Sequence, residues 1–205
     1  MSQTAAIEQR QRTTLGEERI IEAARRLFMA HGFSAVTGDK LCSEARVSKS
    51  TLYKYFGDMT GVLTAVVINE AEIFDLSIDT SPATDAELWE SLQGFGTRLL
   101  RLLNNPFAMQ LDRIVHEEAR TQSGLAKAFY DNAYGKSHVD ITALIAHGQT
   151  KGFIKRTEPA EDLADHLISM WESLKYVRAR LGLIKKPFPA PEAWAKQCLE
   201  TLFNK

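Results

Sequence analysis

Nowhere does this chain assemble the run of about 18 apolar residues that a membrane-spanning helix needs, and its polar, basic N-terminus carries no signal-peptide core. The expected location is therefore the cytoplasm, with no membrane partner. Strand patterns are missing too: no β-branched alternation stands between turn signals, and there is no internal repeat or low-complexity tract. Only two cysteines occur, Cys42 and Cys198, with no metal or redox spacing, so both are expected to be buried thiols in a reducing compartment. His116, His138, His147 and His166 offer no i, i+4 ligand pair, which argues against a metal site. Also absent are a nucleophile elbow, a phosphate-cradling glycine loop and a paired-acid motif; the one His-x-Asp, His138 to Asp140, is too common to count. No catalytic residue and no cofactor can be nominated, and an enzyme is not expected. Charge of one sign is lacking as well, with 25 Lys and Arg against 26 Asp and Glu in 205 residues. Splitting after residue 64 gives 9 basic against 7 acidic residues, net +2, then 16 against 19, net −3. That asymmetry gives mild support to a first part that faces nucleic acid.

What the chain does have is helical periodicity from end to end, predicting an all-α fold of about nine helices. Residues 1–13 are polar, and Thr14 with Glu17 forms a capping box expected to open the first helix. Ile20, Ala24, Leu27 and Phe28 recur at helical spacing until Gly32, a left-handed cap. Thr37 and Ser48 are expected to cap two short helices, and Asp58 a longer one from Met59 to about Leu76. After a polar loop through Pro82, a second capping box at Thr84 and Glu87 opens a helix that Asn104, Asn105 and Pro106 break. The segment from Leu125 to about Thr150 reads as one long helix, with Gly135 as the point where it can bend. Pro159 opens the next helix, and Trp194, Leu199, Leu202 and Phe203 line the last.

The stretch Ser43 to Phe56, SEARVSKSTLYKYF, carries the chemistry. It reads as the turn and second helix of a helix-turn-helix motif spanning about residues 37–56. Leu52 and Phe56 share an inward face with Val47, while Lys49, Ser50, Thr51, Lys54 and Tyr55 project outward. Tyr53 is mixed, its ring packing while its hydroxyl reaches out. Hydroxyls, amines and phenols suit phosphate oxygens and base edges. Lys54 is the first choice for reading a base, since an ammonium can pair with guanine O6 and N7 in the major groove. Ser50, Thr51, Tyr53 and Tyr55 are assigned to phosphate. For any single one of these, the alternative is a merely solvated side chain. Arg10 and Arg12 could enter a minor groove, or belong to a solvated tail.

The first 64 residues resemble the DNA-binding domain of the TetR family of bacterial transcriptional regulators. The pattern runs through Arg19, Ile20, Ile21, Ala23, Ala24, Leu27, Phe28, Gly32 and Phe33 in and after the first helix. It continues with Thr37, Leu41, Ala45, Val47, Ser48, Thr51, Leu52, Tyr53 and Phe56, and ends at Leu63. The resemblance implies a three-helix head over residues 14–64 and a helical ligand-binding and dimerisation domain over residues 65–205. Thr37 and Ser48 join the expected DNA contacts, as does Arg46 through a departure from the pattern. Three positions depart from the pattern: Gly38 replaces a larger residue, Arg46 the common turn glycine, and Met59 a frequent phosphate-binding lysine. Arg46 is expected to strain the backbone while offering a phosphate contact. His116 to Asn132 resembles, more loosely, the C-terminal domain of AefR-like regulators.

In that second domain, Phe95, Leu99, Leu111, Val115, Phe129, Tyr134, Met170 and Trp171 are candidate lining for an effector cavity between helices, with ordinary core packing as the alternative for each. Leu163, Leu167, Leu174, Trp194, Leu199, Leu202 and Phe203 are candidates for a dimer-forming bundle, or for packing within one chain. The expected function is a homodimeric repressor that a small apolar or aromatic effector releases from a palindromic operator in double-stranded DNA. An activator, or a DNA-binding protein without an effector, is the alternative.

Overall fold

The computed structural model describes residues 3–120 and 123–204, with side chains described at 15–120, 124–132 and 134–204. Arg10 and Arg12, the candidate basic arm, have side chains outside the described residues. The described residues form helices and no strand, the all-α fold expected from periodicity. None of these helices is long and apolar enough to cross a membrane. The chain divides into two compact units, Met1–Glu70 with Gln110–Phe129, and Ala71–Met109 with Tyr130–Lys205. A contiguous boundary at 64/65 was the expectation; packing instead assigns residues 110–129 to the first unit.

The first unit holds α1 (Gln3–His31), α2 (Gly38–Ala45), α3 (Lys49–Phe56) and most of α4 (Met59–Ile73). It also holds the larger parts of α6 (Pro106–Glu118) and α7 (Ser123–Phe129). Thr14 does not cap α1, which already runs from Gln3. Residues 3–13 contain no Pro or Gly and are rich in Ala, Gln, Glu and Arg, so nothing stops a helix there. Its other end follows the expectation: Gly32 takes φ 75° and its N–H donates to Phe28 O at 2.9 Å. Ile20, Ala24, Phe28, Leu41, Leu52, Val62, Leu63 and Val66 are buried and make the core of this head. Two carboxylates of this unit are buried, Glu70 and Asp112. Glu70, 2% exposed, receives Arg25 Nε at 3.1 Å and so ties α4 to α1.

The second unit is built from α5 (Asp85–Leu103), α8 (Lys136–Lys151), α9 (Ala160–Arg180) and α10 (Pro191–Phe203). Thr84 and Glu87 form the capping box read in the sequence, each accepting from the other's backbone N–H. Between α7 and α8 the chain passes through one π-helical turn, Tyr130–Gly135. Leu88, Leu92, Phe95, Ile141, Leu144, Leu163, Leu167, Trp171 and Leu199 share one core. Cys42 and Cys198 are both free and buried, and burial pushes the Cys198 thiol up to about 11, which leaves it inert at neutral pH.

Inside α9 stands an unexpected break. Ser173 takes φ 49°, ψ 176°, with no Pro or Gly beside it. In a regular helix the Trp171 carbonyl would accept from the N–H of Lys175. Here Lys175 N–H donates to Ser173 Oγ at 3.2 Å, and the Trp171 carbonyl accepts instead from Trp194 Nε1 at 3.2 Å. Ser173 thus caps the second half of the helix, and the break changes the phase of its apolar stripe. Leu163 and Leu167 are fully buried in their own chain, as are Leu199 and Leu202 nearly so. Trp194 is occupied with Trp171, and the Phe203 ring packs on Trp89 at 5.3 Å. Six of the seven proposed dimer residues therefore pack within one chain. Past the break, Leu174 turns out to solvent at 68% exposure, joined by Val177 and Leu181 at i+3 and i+7.

Candidate nucleic-acid interface

The helix-turn-helix is set by local caps. Thr37 Oγ1 accepts the N–H of Lys40 at 3.2 Å to start α2, and Ser48 Oγ accepts that of Thr51 at 3.1 Å to start α3. Between them Arg46 adopts φ 54°, ψ 50° and donates its N–H to the carbonyls of Cys42 and Ser43. This is the left-handed conformation that a glycine would take without penalty, and it costs a residue with a Cβ about 1–2 kcal/mol. Arg19, reaching from α1, donates through Nη2 to the carbonyls of Ala45 and, at 2.9 Å, of Arg46. A sequence reading that used Arg19 only as a pattern match misses this work of pinning the turn.

On α3 the expected DNA residues separate into three groups. Ser48 Oγ lies 2.8 Å from both Ser50 Oγ and Thr51 Oγ1, so three hydroxyls gather over the first turn of the helix. The exposed backbone amides of a helix N-terminus sit beside them, an arrangement suited to a phosphate oxygen. Lys54 is exposed farther along, and Leu52 is fully buried behind it. Tyr53 is 44% exposed. Tyr55 is not directed outward as expected. A Cβ on Gly16 would sit 3.5 Å from its ring, and that ring also meets Phe56 edge-on at 6.2 Å. Gly16 in α1 thus gives the half-buried Tyr55 ring a seat.

The exit from α3 was not anticipated. Gly57 takes φ 75°, ψ −54°, and Asp58 N–H donates to Phe56 O at 2.8 Å. These values define a γ-turn of the positive-φ form, which glycine accommodates. Asp58 Oδ1 then accepts the N–H of Gly61 at 2.8 Å, capping α4 as the sequence predicts. A Cβ on Gly61 would stand 1.9 Å from Phe56 O. The available signal was Gly61 itself, since a glycine in a helix interior needs a packing reason.

The eight candidate effector-lining residues are divided between the two units. Leu111, Val115 and Phe129 belong to the first unit; Phe95, Leu99, Tyr134, Met170 and Trp171 belong to the second. Phe95 and Trp171 are fully buried, their ring centroids 5.9 Å apart. A Cβ on Gly96 would reach within 2.6 Å of the Trp171 ring, so this spot is filled core rather than open lining. Leu99 and Met170 are half-buried at its edge. Among the described residues, no group of three or more His, Cys, Asp or Glu is arranged to hold a metal ion.

Comparison with known proteins agrees with this geometry. Residues 20–66 match the bacterial regulatory proteins of the tetR family, and residues 90–203 match the C-terminal domain of AefR-like transcriptional repressors. The HTH-type transcriptional repressor SCO4008 of Streptomyces coelicolor is 30% identical over 152 residues, 74% of either chain. A TetR transcriptional regulator from Agrobacterium tumefaciens superimposes with a TM-score of 0.75 at 25% identity, over 92% of this chain and 93% of that one. A structure assigned to the same family from Mesorhizobium loti gives 0.77 at 21% identity, covering 94% and 97%, and shares the fold.

Proposed function

The chain belongs to the tetR family of bacterial regulatory proteins, whose members matched here are transcriptional regulators rather than enzymes, and on that premise we propose a homodimeric repressor released from a palindromic operator by a small molecule. The observation that carries this reading is the capped, solvent-facing start of α3, with Ser48, Ser50 and Thr51 hydroxyls clustered beside an exposed Lys54. In a two-fold dimer, two such helices enter successive major grooves about 34–36 Å apart and read half-sites of opposite direction. The hydroxyls and Arg46 fix the register on phosphates, and Lys54 reads a base. An effector acts through its different affinities for the bound and released arrangements; a ratio of about 100 corresponds to about 2.7 kcal/mol. Leu99, Tyr134 and Met170, half-buried and apolar or aromatic, favour an effector of similar character.

Selection of bound sequences from a random DNA pool tests the reading directly, and failure to enrich any palindrome overturns it. On the enriched site, Lys54→Ala is expected to lose about 1–3 kcal/mol of discrimination at one base pair. Selectivity equal to that of the parent at every position refutes the role of Lys54.

For the dimer, the exposed stripe of Leu174, Val177 and Leu181 replaces the buried residues nominated from sequence. Leu181→Glu, at a position 70% exposed in one chain, is expected to yield a folded monomer in sedimentation analysis. An unaltered dimer places the interface elsewhere. The filled interior at Phe95, Gly96 and Trp171 favours a second reading, a regulator that answers to no small molecule. A small molecule retained in native mass spectrometry rules that out.

A further inference from the structure

Two consecutive residues at the start of α2 shape one face of α3. Lys49 and Tyr53 stand one turn apart on α3, and each meets one of them. Lys49 Nζ lies 2.6 Å from Asp39 Oδ1. A Cβ on Gly38 would come within 2.7 Å of Tyr53 Oη, so the absent side chain leaves the room that the hydroxyl occupies. The hydrogen bond and charge of Asp39 raise the Lys49 pKa.

Stability does not account for this pair. Its side chains are 59% and 73% exposed, and exposed pairs contribute little to folding. Its effect lies in electrostatics toward DNA. Attraction to phosphates supplies affinity for any sequence, whereas base contacts supply the preference. A lysine tethered to a carboxylate of its own chain is withheld from phosphates of a loosely bound duplex. In a closely docked operator the same tether fixes where the ammonium sits.

We propose that Asp39 is a specificity-determining residue of the DNA interface, which holds Lys49 in one position and keeps it from contacting phosphates of arbitrary sequence. Gly38 is its companion, setting Tyr53 by leaving space. The proposal rests on α3 being the DNA-reading helix.

Asp39→Asn tests it on the intact chain, with the enriched operator and a scrambled duplex of equal length. Binding to the scrambled duplex should gain one phosphate contact per head. With two heads per dimer, its log–log salt dependence then steepens by about 1.8, an additional loss of about 12-fold between 50 and 200 mM salt. Operator binding should change less, so the ratio of the two affinities falls. Adding Lys49→Met to Asp39→Asn should return the salt dependence on the scrambled duplex to that of the parent. Equal gains on both duplexes, or an unchanged salt dependence, overturn the proposal while the regulator reading stands. A parent protein that enriches no sequence overturns both.

Discussion

Gly61→Ala should strongly destabilise the folded DNA-reading head. The new methyl would stand 1.9 Å from the Phe56 carbonyl oxygen, well inside contact distance. That oxygen cannot swing away freely, because it already accepts Asp58 N–H at 2.8 Å across the γ-turn at Gly57. Relief would require moving the end of α3, whose Leu52 is sealed in the core, or the start of α4, whose Val62 and Leu63 are equally buried. Overpacking a flexible side chain costs about 1–3 kcal/mol, and a clash with fixed backbone falls at or beyond the upper end. Against the small net stability of a domain, that is enough to unfold it in part. The measurement is the urea-unfolding midpoint together with operator binding. A normal midpoint with intact binding would show that the turn can be rebuilt.

The second large effect concerns Arg25 and Glu70. Removing the guanidinium by Arg25→Met leaves the Glu70 carboxylate, 2% exposed, without its Arg25 partner. A buried charge stripped of its partner costs about 3–5 kcal/mol. Adding Glu70→Met should recover most of the loss, since it removes the stranded charge and restores apolar volume. Denaturant unfolding of the two variants checks both halves. Arg25→Met within about 1 kcal/mol of the parent would falsify the account.

These contacts show where sequence reasoning reaches and where it stops. Caps at Thr37, Ser48, Asp58 and Thr84 are legible because donor and acceptor lie within four residues of each other. So is the left-handed turn at Arg46, which the resemblance implies because the family commonly has a glycine at this turn. The break at Ser173 is not legible, because serine carries no mark of positive φ and the exchange that supports it depends on Trp194 in another helix. Assuming an unbroken α9 places Leu174 on the face of Leu163 and Leu167, whereas past the break it turns to solvent. The tether between Asp39 and Lys49 joins two helices, and Tyr55 finds its seat on Gly16 at the far end of the head. Neither leaves a periodic trace. The extra turn at Tyr130–Gly135 is hidden for a related reason, since helix formers serve a π-turn as well as an α-turn.

The exchange at Ser173 has an optical side. The Trp194 indole donates its N–H to the Trp171 carbonyl and carries Lys175 Nζ 3.2 Å above its ring. A cation at that distance interacts directly with the π-system. Were α9 to become continuous, Lys175 N–H would reclaim the Trp171 carbonyl, and the indole would lose its acceptor as the ammonium shifted. The fluorescence of Trp194 is therefore expected to respond to the backbone of a neighbouring helix, alongside the signals of Trp89 and Trp171.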